Sequence, residues 1–199
     1  MPFIIGAALI LLAGGGYYAW TLYSETQTPV AEPVVETPVI ERNVQYASTT
    51  MKFSLAYPAA FTLQESYAYT RVSPTKPIVG VKFLVPASFT EGTNLAPDSG
   101  VSVEQLPRAK VCTGDIFVKA NVRTREVPVG TLTLSVATST ESIGADTFEE
   151  MVFAVASSSP CIAMRYFIHT TAVGTSTTAF DRSLLVAEFD KISQSLSTQ

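Results

Sequence analysis

The sequence predicts an α+β domain, an antiparallel β-sheet flanked by helices, preceded by one N-terminal transmembrane helix and an extended linker. Three observations lead there. An uncharged run, "PFIIGAALILLAGGGYYAWTLYS", occupies residues 2–24. A stretch rich in proline and glutamate follows it. Beyond about Gln45, short alternating apolar segments succeed one another with turn residues between them. Strands in immediate succession favour an antiparallel sheet over βαβ units. With 47% hydrophobic and 15% charged residues in a chain of 199, a substantial core can be filled.

The first segment, 1–24, is long enough to cross a bilayer as a helix. Tyr17, Tyr18, Trp20 and Tyr23 crowd its far end, where amphipathic rings favour the headgroup region. A cleaved signal peptide is the rival reading. It asks for a positive leading region, and here the only early positive charge is the α-amino group. The aromatic cluster fits a retained anchor better. In residues 25–44, Pro29, Pro33 and Pro38 stand among glutamates, which gives an extended, partly polyproline tether reaching up to ~60 Å.

Residues 45–199 are expected to form the globular domain. "KFSLAYP" sets Phe53, Leu55 and Tyr57 against Lys52, Ser54 and Ala56, the alternation of a half-buried strand. "FTLQE" and "YAYTRV" follow, then the apolar "IVGVKFLVP" closed by Pro86. "VSVEQL" alternates again, and "TLTLSVAT" with "TFEEMVFAVA" reads as a further pair. Two helices are predicted. "TGDIFVKAN" follows Cys112 with Thr113 as N-cap, and "FDRSLLVAEFDKISQSL" takes Asp181 as its cap. In the second, Leu185, Phe189, Ile192 and Leu196 make a stripe that packs on the sheet.

Charge excludes one class of partner. No Lys or Arg precedes Arg42, whereas Glu25, Glu32, Glu36 and Glu41 do, which leaves 13 acidic against 13 basic residues from Arg42 onward. Such a domain lacks the positive excess of a nucleic-acid surface, so no nucleic acid is expected as partner. "KANVRTR", residues 119–125, is a short basic patch of a solvated face.

The chemistry-bearing residues gather in "PCIAMRYFIHTT", residues 160–171, with one of two cysteines and the only histidine. In a strand, Ile162, Met164, Tyr166 and Ile168 share a core face, while Cys161, Ala163, Arg165, Phe167 and His169 share the other. Cys161 and His169 would then stand ~26 Å apart, far beyond the reach of a thiol–imidazole dyad. Cys112 and Cys161 behind a membrane anchor suggest a disulfide in an oxidising compartment, against the alternative of two buried thiols. One histidine and two cysteines fall short of a zinc site, so no metal and no cofactor is expected. "SPTK", residues 73–76, matches S-x-x-K, but Pro74 and Pro77 oppose the helix that motif needs. No catalytic residue is assigned and no enzyme is expected. Arg165 and His169 stay as candidates for contact, Arg165 with Glu149 or Glu150 as its duller partners.

"FSLAYPAAF", residues 53–61, resembles the opening strand and turn of PsbP-like domains, and "FDKISQSLS", residues 189–197, their closing helix. "SGVSVEQLP" and "PCIAMRYFIHTT" are also similar to stretches of membrane-anchored bacterial envelope proteins. Departures are Phe61, where Trp is common, and Leu196, where Phe usually closes the helix. The resemblance implies an α/β/α sandwich around an antiparallel sheet, in a family of accessory and binding proteins.

The functional expectation is a single-pass, membrane-tethered domain outside the cytoplasm that binds a protein partner in the envelope. Its contact loops would be residues 86–100 and 170–181. The alternatives are an envelope hydrolase with an unrecognised serine or carboxylate site, and a surface-assembly subunit.

Overall fold

The computed structural model describes residues 42–129 and 132–198. The expected anchor (1–24) and nearly all of the tether (25–44) lie outside the described residues. Among the described residues no helix is long and apolar enough to cross a membrane.

Ten strands run β1 Asn43–Ser48, β2 Phe53–Pro58, β3 Thr62–Tyr69, β4 Ile78–Leu84, β5 Gly100–Leu106, β6 Arg125–Val129, β7 Leu132–Ile143, β8 Asp146–Val155, β9 Cys161–Thr170 and β10 Ser197–Thr198. They make two antiparallel sheets, a three-stranded one ordered β1-β2-β10 and a seven-stranded one ordered β3-β4-β5-β9-β8-β7-β6. Among the described residues the helices are α1 Ala87–Thr90, a 3-10 turn Gly114–Phe117, and α2 Arg182–Gln194.

The expected sheet flanked by helices, and the α/β/α sandwich implied by the PsbP-like resemblance, are therefore corrected. The domain is mostly antiparallel β-sheet in two sheets. One face of the large sheet is covered by the small sheet together with α2. Tyr57 meets Phe83 across the sheets with ring centroids 4.7 Å apart, and Phe189 of α2 meets Tyr166 at 5.3 Å. Among the described residues the other face carries no full helix. "TGDIFVKAN" makes one 3-10 turn without a side-chain cap from Thr113, and the chain is extended again at Val118. Gly114 explains the stop: a Cβ there would sit 2.8 Å from Ala137 N and Ser135 O, so the backbone lies hard against β7.

The second predicted helix forms as expected. Asp181 caps α2, its Oδ1 accepting from the backbone N–H groups of Ser183 and Leu184. Leu185, Phe189 and Ile192 have no exposed surface, and each such burial stabilises by about 1.5–3 kcal/mol. Leu196 lies past the helix end but still packs on the same core. Ser195 Oγ accepts from Ala56 N and donates to Ala56 O, which ties the C-terminus of α2 to β2.

Strand reading from alternation holds for β2, β5 and the β7–β8 hairpin. "FTLQE" and "YAYTRV" turn out to be one strand, β3, with a register shift between Gln64 and Tyr67. The boundary set at residue 44 cuts β1, which begins at Asn43. The large sheet has a core on each side. Val81, Phe83, Val101, Met164 and Ile168 belong to the one beneath α2 and the small sheet. Phe117, Val152, Ala154, Ala163 and Phe167 belong to the other.

Candidate functional site

β9 lies in the middle of the large sheet, between β5 and β8. Alternation sends Met164 and Tyr166 into the first core and Arg165 and Phe167 into the second. Arg165 has no exposed surface. Its Nε and Nη2 donate to the two oxygens of Glu104, each at 2.8 Å, and Nη1 donates to Glu150 Oε2 at 2.7 Å. Nη2 also donates to the Phe117 carbonyl at 2.7 Å, and the guanidinium stacks 3.7 Å from the Tyr69 ring centroid. Burial works against the charge, but the Glu104 and Glu150 carboxylates outweigh it and hold the pKa above the ordinary arginine value. Arg165 is thus a permanent cation that fixes its neighbours and exchanges no proton.

The network extends towards the sheet edge. Tyr69 donates to Glu150 Oε1, Ser102 Oγ donates to Glu104 Oε1 at 2.7 Å, and Arg71 Nη2 bonds Glu141, which also takes Lys119 Nζ at 3.1 Å. Gly80 lies in register between Tyr67 and Glu104. A Cβ at Gly80 would stand 3.1 Å from Glu104 Cγ and 2.5 Å from Val103 O, so only glycine leaves the carboxylate its path.

A pocket of about 480 Å³ opens on this face, lined among others by Tyr67, Tyr69, Arg71, Lys82, Asp98 and Phe167. Lys82 is only 4% exposed, yet among the described residues its Nζ makes no hydrogen bond and no ion pair. It lies 4.4 Å from the Phe167 ring centroid and 5.0 Å from that of Tyr67. Burial lowers its pKa to about 8, with Asp98 and Glu104 opposing the shift. Burial, followed by the Glu104 charge, raises the Tyr67 pKa well above its ordinary value. A larger hollow of about 580 Å³ beside the disulfide is walled by residues 106–111 and Ile116, with little polar surface.

The lysine makes a prediction about stability. Its folded pKa, about 8, lies below the ordinary value of 10.5, so between these pH values the unfolded chain binds more protons. Its cost to the fold is complete below pH 8 and is relieved as pH rises towards 10.5. Lys82→Met is therefore expected to stabilise the protein at pH 7, by an amount that shrinks from pH 8 to pH 10.5. Urea midpoints across that range check it, and a pH-independent difference would refute the buried, unpaired ammonium.

The residues singled out from sequence fall in three places. Cys112 and Cys161 form the disulfide, S–S 2.06 Å and Cα–Cα 5.1 Å, at the end of β9 away from His169. Arg165 pairs with Glu150 as expected and with Glu104, while Glu149 pairs with Arg182. Its lack of exposed surface removes it from direct contact with a partner. His169 sits at the rim, its Nδ1 2.7 Å from Asp98 Oδ1 and its ring stacked on Phe148 at 4.4 Å. Its Nε2 has no hydrogen bond and lies 3.6 Å from Asp146 Oδ1. The loops 86–100 and 170–181 are laced together, with Asn94 N donating to Thr178 O and Thr178 N to Gly92 O, both at 2.9 Å. Residues 73–76 form a turn without helix. Lys119 of the basic patch pairs with Glu141. Among the described residues no group of three or more His, Cys, Asp or Glu side chains could hold a metal ion.

Sequence reasoning missed Lys82, Glu104, Tyr67, Tyr69 and Arg71. A signal was present. "IVGVKFL" and "CIAMRYFI" each carry a single charge inside an apolar strand, and so does "VSVEQL". Charges so placed must find partners or line a cavity.

No family model matches the chain, and no curated protein matches it. Among solved structures it is similar to a chain from Bacteroides thetaiotaomicron VPI-5482, with 12% identity and a TM-score of 0.46 over 78% of this chain. The match spans about half of that protein, 48% of its length, and at this level of similarity it assigns neither fold nor function.

Proposed function

We propose that this chain is a membrane-tethered, extracytoplasmic binding or accessory domain that takes its partner on the β3–β4 side of the large sheet. One observation carries the reading: the pocket there, where Tyr67, Tyr69, Arg71 and Lys82 meet on a frame tied by a buried ion-pair network. The disulfide supports an oxidising compartment, and the uncharged run at residues 2–24 supports the tether.

Photocrosslinking of the full chain in cells tests the placement. A photoreactive residue at Gln64 or Thr70, both exposed beside the pocket, is expected to give adducts that one at Leu184 on α2 does not. Adducts from Leu184 alone would move the contact surface elsewhere. Alkylation of unreduced envelope material is expected to leave both cysteines unlabelled, and two free thiols would remove the compartment from the reading.

A second reading, an envelope hydrolase, is favoured by one observation. A lysine whose pKa is lowered by burial in a pocket is the kind of group an active site carries. The pocket also holds a carboxylate, Asp98, bonded to His169. Hydrolysis of p-nitrophenyl esters by the full chain, lost in Lys82→Met, would establish it; equal rates in both proteins would dismiss it.

A further inference from the structure

We propose that the β3–β4 pocket binds a small organic monoanion, a carboxylate on an aromatic or aliphatic body, with the carboxylate on Lys82 Nζ and the body against Tyr67 and Phe167. This rests on the reading of that face as the binding face, and adds the chemistry of the occupant.

The pairing on this face points to an anion. Glu104, Glu150 and Glu141 are engaged by Arg165, Arg71 and Lys119 through the ion pairs already described, and Asp98 is bonded to His169. Among the described residues, Lys82 Nζ is left without a hydrogen bond or an ion pair. Its ammonium has ring faces beside it and no acceptor among the described residues, and a largely desolvated ammonium is unfavourable until something supplies one. The side chain is recessed at 4% exposure yet lines an open pocket, so the acceptor can arrive from outside.

The same surroundings set the class of anion. The ligand meets one unshared cation, because the Arg71 guanidinium is divided between Glu141 and Glu150. Glu104 from β5 and Asp98 from the turn before it act on Lys82 with negative charge. A dianion such as phosphate would face their repulsion with a single ammonium to offset it, whereas a carboxylate is matched one to one. Tyr67 and Phe167 offer flat apolar walls, which favour an acid with a hydrophobic body over acetate. The pocket volume, about 480 Å³, suits a small molecule.

Isothermal titration of the full chain in lipid nanodiscs tests the proposal, using phenylacetate, 3-phenylpropionate and octanoate, each against its neutral amide. The acids are expected to bind at least about tenfold more tightly than the amides. Lys82→Met, which the buried unpaired charge predicts to be well folded, is expected to lose that preference. Binding of the acids should also fall as pH rises from about 8 to 10. Of the groups facing Lys82 (Tyr67 from β3, Glu104 from β5, Arg165 from β9 and Asp98), the tyrosine and the arginine titrate above their ordinary values. Equal binding of acids and amides, undiminished binding by Lys82→Met, or no acid binding at about 10 mM overturns the proposal. So does inorganic phosphate binding as tightly as the acids. A peptide with a C-terminal phenylalanine binding where all three acids fail overturns the small-acid class alone. Crosslinks from Gln64 and Thr70 would then persist, and the binding face would stand.

Discussion

Replacing Arg165 by methionine is expected to destabilise the fold by about 3–5 kcal/mol. Methionine fills much of the aliphatic volume, so the loss is electrostatic. Glu150 keeps Tyr69 and Arg71 beside it, whereas Glu104 keeps only the Ser102 hydroxyl and has no exposed surface. A carboxylate stranded in that position has lost its water and its cation together. Lysine would not rescue it. One ammonium cannot serve both oxygens of Glu104, the Glu150 oxygen and the Phe117 carbonyl, which the planar guanidinium reaches at once. Arg165→Met combined with Glu104→Gln is expected to recover a good part of the loss, because the stranded charge is gone. Urea unfolding of the three variants at pH 7 measures this. A single Arg165→Met variant as stable as the parent would show that Glu104 is not held dry.

Opening the Cys112–Cys161 bond is expected to have an effect of similar size. The bond closes a loop with a sequence separation of 49, which corresponds to about 4 kcal/mol of denatured-state entropy. Domains of this kind are stable by only about 5–15 kcal/mol in total. Cys112→Ala with Cys161→Ala, or reductant on the parent, should lower the urea midpoint. The slope should steepen, since a denatured chain freed of its crosslink exposes more surface. An unchanged midpoint under reductant would show that the 112–124 segment holds itself on the sheet through Phe117 and Gly114 without the bond.

What could be read from the chain depended on which physical signal each segment carried. Period-two alternation marked β2, β5, β7 and β8. A capping aspartate with a stripe at helical spacing marked α2. β1 was hidden because it starts within two residues of the proline- and glutamate-rich composition that signals a tether. β6, "REVPV", was hidden by its charges and by Pro128, which suit the sheet edge it occupies. The helix expected after Cys112 failed because local composition says nothing of β7 lying against Gly114.

For the site, the sequence showed reactive side chains within one strand, which led to Arg165 and His169. The pocket is made between strands. Lys82, Glu104 and Tyr69 come together through the pairing of β3, β4, β5 and β9, with Glu104 and Arg165 separated by 61 residues in sequence and Tyr69 and Glu150 by 81. Register, not spacing, made that assembly, and register is set by the whole sheet.

β9 has a further consequence for how the domain yields. Eight consecutive residues, Cys161 to Ile168, are buried, alternating between two cores that share no other layer. A strand that is the wall of both compartments cannot detach from one while leaving the other sealed. Partial opening is therefore confined to the periphery, where the edge strands β3 and β6 can fray independently. The centre should come apart as one cooperative unit. The pocket, built where the peripheral β3 meets the central strands, has one wall free to breathe and one that does not move until the whole domain does.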